Sequence, residues 1–286
     1  MSAPQTTNRG TNPSKTQHNA WIASVITSLI IGAAFISVYV GIQRDPQPTH
    51  LPVAVASQQL ATAAQQGLGD KVQVAEVSSL EDGVQMVKDG DAVAAVGLTS
   101  RTSLQLDYAG AKGLSESGAA RALVHGVAAK AGLSVQEKDV VPLVKYDSRG
   151  LVGFYVVFGV TLASFVLAQG LTGAASKVLL RHRLYAMGGF AVLIGAVAAT
   201  IAGPVLGALT APWLALAASL ALLSAAVAFT TKALGSWLGA AGIGLAVLGL
   251  TTVGNAVSGA TIGYDILPQW AQAISPILPR VQPSER

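Results

Sequence analysis

The sequence predicts a polytopic α-helical membrane protein of about five spanning helices with a small α/β extracytoplasmic domain. Three observations predict it. Gly150 to Ser176, Leu184 to Thr231 and Ala233 to Tyr264 contain no Asp, Glu, Lys or Arg and are dominated by Ala, Leu, Val and Gly. A fourth uncharged run, Thr16 to Gln43, lies near the N-terminus. Between them, the stretch from Arg44 to Arg149 holds 10 of the 18 Lys and Arg and 12 of the 14 Asp and Glu, the composition of an ordinary soluble domain.

Crossing ~30 Å of hydrocarbon takes roughly 20 predominantly apolar residues, so these runs accommodate a first spanning helix at 20–42 and four more in a membrane bundle at 150–257. Residues 1–19, rich in Asn, Thr, Ser, Gln and Pro, read as a disordered cytoplasmic tail. The helix at 20–42 reads as a retained anchor. Its apolar core exceeds the roughly 7–15 residues of a signal-peptide core, and no small-x-small cleavage site precedes Gln43-Arg44-Asp45-Pro46. Trp21 and Tyr39 sit near its ends, where interfacial aromatics are favoured.

Residues 43–149 alternate strand and helix patterns. Leu51 to Ala56 reads as a strand, and Gln58 to Gln66, rich in Ala and Gln, as a helix. Val72 and Val74 straddle Gln73 in a second strand over Lys71 to Val77. Ser79 is placed to cap a helix that sets Leu80, Val84 and Val87 on one face, ended by the Asp89-Gly90 turn. Ala92 to Leu98 suits a buried strand, and Leu104, Leu106 and Tyr108 alternate with Gln105 and Asp107 as in a half-exposed one. Ser115 to Ala131 is the clearest soluble helix, with Ala120, Leu123, Val124, Val127 and Ala131 in one stripe and Gly132 as terminator. The order β-α-β-α-β-β-α-β implies one small sheet with helices packed on it.

The later spans are expected at Leu151 to Leu171, Leu184 to Val205, Trp213 to Thr231 and Trp237 to Val257, with an outer turn bracketed by Gly203-Pro204 and Pro212. Residues 258–286, with Pro268, Pro276 and Pro279 among Trp270, Ile274, Ile277 and Leu278, read as an outer interfacial or re-entrant tail.

The formal charge of +4 and the pI of about 9.4 do not point to nucleic acid, because the excess positive charge sits beside the spans. Arg9 and Lys15, the trio Lys177, Arg181 and Arg183, and Lys232 are the basic residues that flank them. Basic residues in short loops stay cytoplasmic. That places the N-terminus inside, residues 43–149 outside and the chain in the cell membrane as a multi-pass protein. With no cysteine, the outer domain has neither disulfides nor thiol-ligated metal.

Catalytic patterns are absent. His18, His50, His125 and His182 are scattered without metal-ligand spacing, there is no nucleophile elbow, and Gly170 to Lys177 is not a phosphate-cradling loop. No enzyme activity and no cofactor are expected; His125 reads as a surface residue. The candidate positions are of another kind. Gln169 and Asn255 are the strongest hydrogen-bonding side chains inside expected spans, where an unpaired amide is costly. Small-xxx-small spacings at Gly203/Gly207, Gly235/Gly239 and Gly259/Gly263 suit close helix contacts. Lys177, Arg181 and Arg183 suit a cytoplasmic docking loop or a positive-inside anchor that meets anionic lipid.

Four stretches carry a family resemblance. Leu51-Pro52-Val53-Ala54-Val55-Ala56 is similar to the strand that opens an extracytoplasmic insertion, and Asp89-Gly90-Asp91-Ala92-Val93-Ala94-Ala95-Val96 to a turn and apolar strand within it. Asp147-Ser148-Arg149-Gly150-Leu151-Val152-Gly153-Phe154-Tyr155 is similar to the re-entry into the membrane. Gly254-Asn255-Ala256-Val257-Ser258-Gly259, followed by Leu267-Pro268 and Ile274-Ser275-Pro276-Ile277-Leu278-Pro279, is similar to the outer segment after the fifth helix. In this order they resemble the type-2 ABC exporter permeases, in the bacterial phage-infection-protein-like branch. The family pattern carries a proline at the position of Ala256 and continues into a sixth helix, which this sequence lacks. The resemblance implies export of a hydrophobic or cell-envelope-related compound. It implies a homodimer or a second permease-like subunit, and a separate cytoplasmic nucleotide-binding ATPase docked on the coupling loop of Lys177, Arg181 and Arg183. The missing helix and the scarcity of polar side chains in the spans suit a rival class, a non-transporting envelope scaffold or accessory receptor whose outer domain binds an envelope partner.

Overall fold

Residues 14–44, 47–257 and 262–274 are described by a computed structural model of the chain. Residues 51–139 build a five-stranded sheet from β1 (Leu51–Val55), β2 (Val72–Glu76), β3 (Ala94–Ser100), β4 (Ser103–Tyr108) and β5 (Ser134–Asp139), in the spatial order β2-β1-β3-β4-β5. β1 is parallel to β2 and β3, β4 is antiparallel to β3, and β5 is parallel to β4. Parallel neighbours need crossovers. These are α2 (Gln58–Leu68) after β1, α3 (Leu80–Asp89) after β2 and α4 (Gly113–Ala131) after β4.

The two-residue period of the strands divides their side chains between two cores. Val53, Val55, Ala94, Val96, Leu104 and Leu106 meet Ala61 of α2 and Ala120, Val124 and Ala128 of α4 on one face. Ala54 and Ala95 meet Val87 of α3 on the other. α3 starts where the sequence predicts, with Ser79 Oγ accepting the Asp82 N–H at 3.1 Å, and stops at Gly90, whose φ of 90° suits a residue without a Cβ. The exposed edge strand β5 carries Glu137 and Lys138, which discourage pairing with another chain. His125 is exposed, as expected, but its Nε2 lies 2.6 Å from Glu137, which also pairs with Arg121.

Helices make up 67% of the structure, and among the described residues three are long and apolar enough to cross a membrane: Val152–Gly173, Leu180–Val205 and Trp213–Leu238. They are α5 (Val152–Gly173), α6 (Leu180–Thr200) with a π-helical extension Ile201–Val205, and α7 (Trp213–Leu238). Two more apolar helical stretches are shorter: Ser28–Ile42 within α1 (Ser14–Gln43), and Ala240–Gly254, made of α8 (Ala240–Ala246) and a π-helical turn Val247–Gly254. A final short helix, α9, covers Gln269–Ile274.

α6 and α7 pack along a shared seam. Arg183, Met187, Ala191, Gly195 and Ala199 recur every four residues on the buried face of α6. A Cβ on Gly195 would lie 2.5 Å from the Ala217 carbonyl and 2.7 Å from the Ala221 nitrogen of α7. The backbones touch there because a hydrogen stands where other residues carry carbon.

Several boundaries correct the sequence reading. The first helix begins at Ser14, so residues 14–19 are helical and not a disordered tail; a helix already propagating adds a bonded turn at little cost even where side chains are polar. Residues 1–13 lie outside the described residues. α6 begins at Leu180, which moves Arg181 and Arg183 from the expected loop into its first turn. α7 runs past Lys232 to Leu238, and Lys232 settles there by bonding Ser236 at 2.6 Å. The last apolar segment starts at Ala240, three residues later than Trp237, because Gly239 turns at φ 59°. Pro204 lacks the N–H of a regular turn, and its segment widens to π geometry before Gly207 closes it at φ 62°. Gly207 therefore packs on Tyr146, Gly203 approaches only the Leu209 carbonyl, and the Gly235/Gly239 spacing ends in a turn. None of these four is a contact of the Gly195 kind.

Candidate functional site at the sheet-to-bundle joint

The sheet and the helices are tied where α4 rests on the chain after the last apolar segment. Thr49, just ahead of β1, meets the 3-10 turn Tyr264–Ile266, its N–H donating to the Asp265 carbonyl at 2.7 Å. The Gly263 N–H donates to Ser115 Oγ at 3.2 Å, joining positions 148 residues apart. Beneath them Ile42 of α1 packs with Ala256, Val257, Ile262, Ile266, Leu267 and Ala271, and Ala119 of α4 closes this cluster.

Glu116 stands in the first turn of α4 at 7% exposure, its carboxylate against the backbone of Gly263, where any Cβ would collide with it. Burial pushes its carboxyl up to about 7; the neighbouring Asp265 charge adds to the rise, while Lys112 and a hydrogen bond from the Asp265 backbone oppose it. Asp265 is also raised, chiefly by burial, with Lys112 and His50 opposing. Lys112 is anchored by donating from Nζ to the Gly90 carbonyl at 2.8 Å. Glu116 therefore holds or releases its proton near neutral pH, and that proton sets whether it repels the neighbouring Asp265 carboxylate. Re-entry into the bundle is ordered by Asp147, whose Oδ1 accepts the N–H groups of Leu151 and Val152 at 2.9 and 3.2 Å, satisfying the start of α5.

The residues singled out from sequence fall in different places. Asn255 is buried at the end of the last apolar segment, where its amide faces the Tyr39 hydroxyl of α1. Gln169 is half-buried beside Ala168, near the end of α5. Gly263 contacts α4 and not another spanning helix; Gly259 lies outside the described residues, as do Pro276, Ile277, Leu278 and Pro279. Lys177 and Arg181 are exposed at the α5–α6 connection, but Arg183 is buried, so the trio does not form one exposed surface.

A second polar contact inside the bundle joins Ser164 of α5 to Ser224 of α7 at 2.7 Å, with Ser164 also donating to the Val160 carbonyl. Hydrogen bonds between membrane helices average about 0.6 kcal/mol. Ser224→Ala should therefore lower the unfolding midpoint in detergent by only about 1–2 °C, read by intrinsic tryptophan fluorescence.

Comparisons with protein families, characterised proteins and solved structures find no match. The joint accordingly stands on its own geometry. Among the described residues no group of three or more His, Asp or Glu is placed to hold a metal ion. The apolar cavity between α2 and α4, lined by Leu60, Ala64, Leu123 and Val127, measures only about 40 Å³ and is a packing gap. Glu116, Ser115 and Asp265 were missed as a unit in sequence. One signal was available: Asp265 is the only acidic residue between Asp147 and Glu285.

Proposed function

We propose that the chain is a permease-like membrane subunit of an ABC-type exporter that moves a hydrophobic or cell-envelope-related compound outward, powered by a separate cytoplasmic ATPase. The observation that supports this reading is the joint. α4, which packs on the sheet, is hydrogen-bonded to the segment after the last apolar helix and closes its cluster with Ile42 of α1, which gives those helices a direct route to the sheet. A sheet moved by the bundle suits a transport cycle better than one hung on loose linkers. In this reading α1 and Ala240–Gly254 complete five crossings, the sheet is extracytoplasmic, and the N-terminus and the α5–α6 connection are cytoplasmic. The transport unit is a homodimer or a pair with a second permease-like subunit. Affinity purification in mild detergent should bring down an ATPase whose turnover changes when this chain is present; a clean preparation without one sinks the exporter reading.

The Gly195 seam favours a second reading. Backbones in contact between α6 and α7 hold that pair rigid, which suits an envelope scaffold or accessory receptor. Cross-links from the sheet to envelope proteins, with none from Lys177 to an ATPase, decide for it.

Sidedness is tested on the cysteine-free background. A cysteine replacing the exposed Gln73 of β2 should react in whole cells with an impermeant maleimide, whereas one replacing Ser176 should react only after the membrane is opened. The reverse pattern inverts the topology.

A further inference from the structure

Arg183, on the inner face of α6, is nearly buried and forms no ion pair among the described residues. α5, α6 and α7 alternate in direction, so the α5 C-terminus, the α6 N-terminus and the α7 C-terminus share one end. That end lies away from the sheet, because Tyr146, in the link leaving β5, packs against Gly207 in the opposite, α6–α7 connection. Ala168, Met187 and Ala228 form a buried layer across the three helices. One helical turn beyond it, toward the α5–α6 connection, come Arg183, four residues before Met187, and Thr231, three after Ala228. They are 8% and 2% exposed, and neither Arg183 Nε nor Thr231 Oγ1 has a hydrogen-bond partner among the described residues.

A buried guanidinium nitrogen and a buried hydroxyl at one level call for an acceptor, and a charged one. The chain has no Asp or Glu between Asp147 and Asp265, so none of these helices has a carboxylate to offer. The first turn of α6 likewise contains no acid, and its capping position is Leu179, which has no side-chain acceptor. Around the same end Lys177, Arg181 and His182 are exposed and Lys232 follows Thr231. The matching ligand is a compact oxyanion entering from the headgroup level, with the positive end of α6 beside it. Leu180 and Leu184, exposed on either side of Arg183 in sequence, provide an apolar track for an acyl chain attached to that oxyanion. We propose that Arg183 and Thr231 form a binding site for the phosphate group of an anionic phospholipid. The site depends on membrane embedding and not on whether the chain is an exporter or a scaffold.

The test uses the full chain purified in a neutral maltoside detergent, with thermal unfolding followed on adding phosphatidylglycerol, phosphatidylcholine or inorganic phosphate. Phosphatidylglycerol should raise the wild-type midpoint by about 3 °C or more, and phosphatidylcholine should not. Arg183→Gln should abolish that rise while unfolding no earlier than wild type without lipid, since it removes an uncompensated interior charge. Arg181→Gln, at an exposed position, should keep most of the rise. An equal rise in Arg183→Gln would mean diffuse surface attraction and overturn the site. An equal, Arg183-dependent rise with inorganic phosphate would overturn the lipid as its ligand. Should Arg183→Gln fail to fold, Thr231→Val reads the same site: native mass spectrometry should show phosphatidylglycerol retention reduced at least about threefold, and unreduced retention overturns the proposal.

Discussion

Gly195→Val should destabilise the protein by about 3 kcal/mol, lowering its unfolding midpoint in detergent by roughly 6–12 °C. The first carbon of the new side chain would meet the Ala217 carbonyl oxygen at 2.5 Å and the Ala221 nitrogen at 2.7 Å, and both belong to backbone. A flexible side chain could swing aside, but a helix backbone in a packed bundle moves as a rod. Relief therefore requires α6 and α7 to separate along the whole stripe of Met187, Ala191 and Ala199. The control lies on the same helix. Gly189 is exposed, and nothing stands within 4 Å of where its Cβ would be, so Gly189→Val should change the midpoint by no more than about 1–2 °C. Equal effects at 189 and 195 would show that valine merely disfavours this helix, and the seam would lose its special status.

The contrast between those two glycines shows where sequence reasoning reached its limit. Uncharged runs marked the long helices because the bilayer imposes a length and a solvent on each segment separately. The strands and helices of the sheet came through in the right order for a similar reason: Ser79, Gly90 and the alternation along Leu104 to Tyr108 act over a few residues. Close packing has no such local mark. Among 31 glycines, small-xxx-small spacing pointed to Gly203, Gly207, Gly235, Gly239, Gly259 and Gly263, while the α6–α7 backbone contact is made by Gly195 with Ala217 and Ala221. The same blindness affected Arg183. Counting charges placed it in a loop, and only the register of α6, with Met187 four residues on, turns it inward. The joint was least legible of all, because Ser115 and Gly263 meet across 148 residues and neither carries a local signal.

That joint carries the second large effect, on pH. An ordinary glutamate titrates near 4.5, and Glu116 in the folded protein titrates at about 7. Between those values the folded state binds the proton that the unfolded state has released, so stability is highest at the acid side and falls as pH rises from about 4.5 to 7. Above 7 the charge is paid in full in both states and the dependence levels off. The direction is opposite to that of a salt-bridged carboxylate such as Glu137, which Arg121 and His125 hold below its ordinary range. A difference of that size corresponds to about 3 kcal/mol as an upper bound. The groups facing Glu116 set the details: the rise of Asp265 adds in the same direction, while Lys112, and His50 beside Asp265, moderate it. Glu116→Gln keeps an oxygen for the Asp265 backbone N–H and discards the charge. It should flatten the profile between pH 5 and 7 and make the variant more stable than wild type at pH 8. The local readout is hydrogen exchange at the Gly263 amide, which donates to Ser115. After correction for intrinsic exchange, its protection should decline from pH 5 to 7.5 in wild type and stay constant in Glu116→Gln. A flat wild-type profile, or a slope that survives in Glu116→Gln, would mean that the two carboxyl groups do not govern the joint. Gly263→Ala separates geometry from charge, since its methyl group displaces the Glu116 carboxylate at every pH and should lower amide protection uniformly.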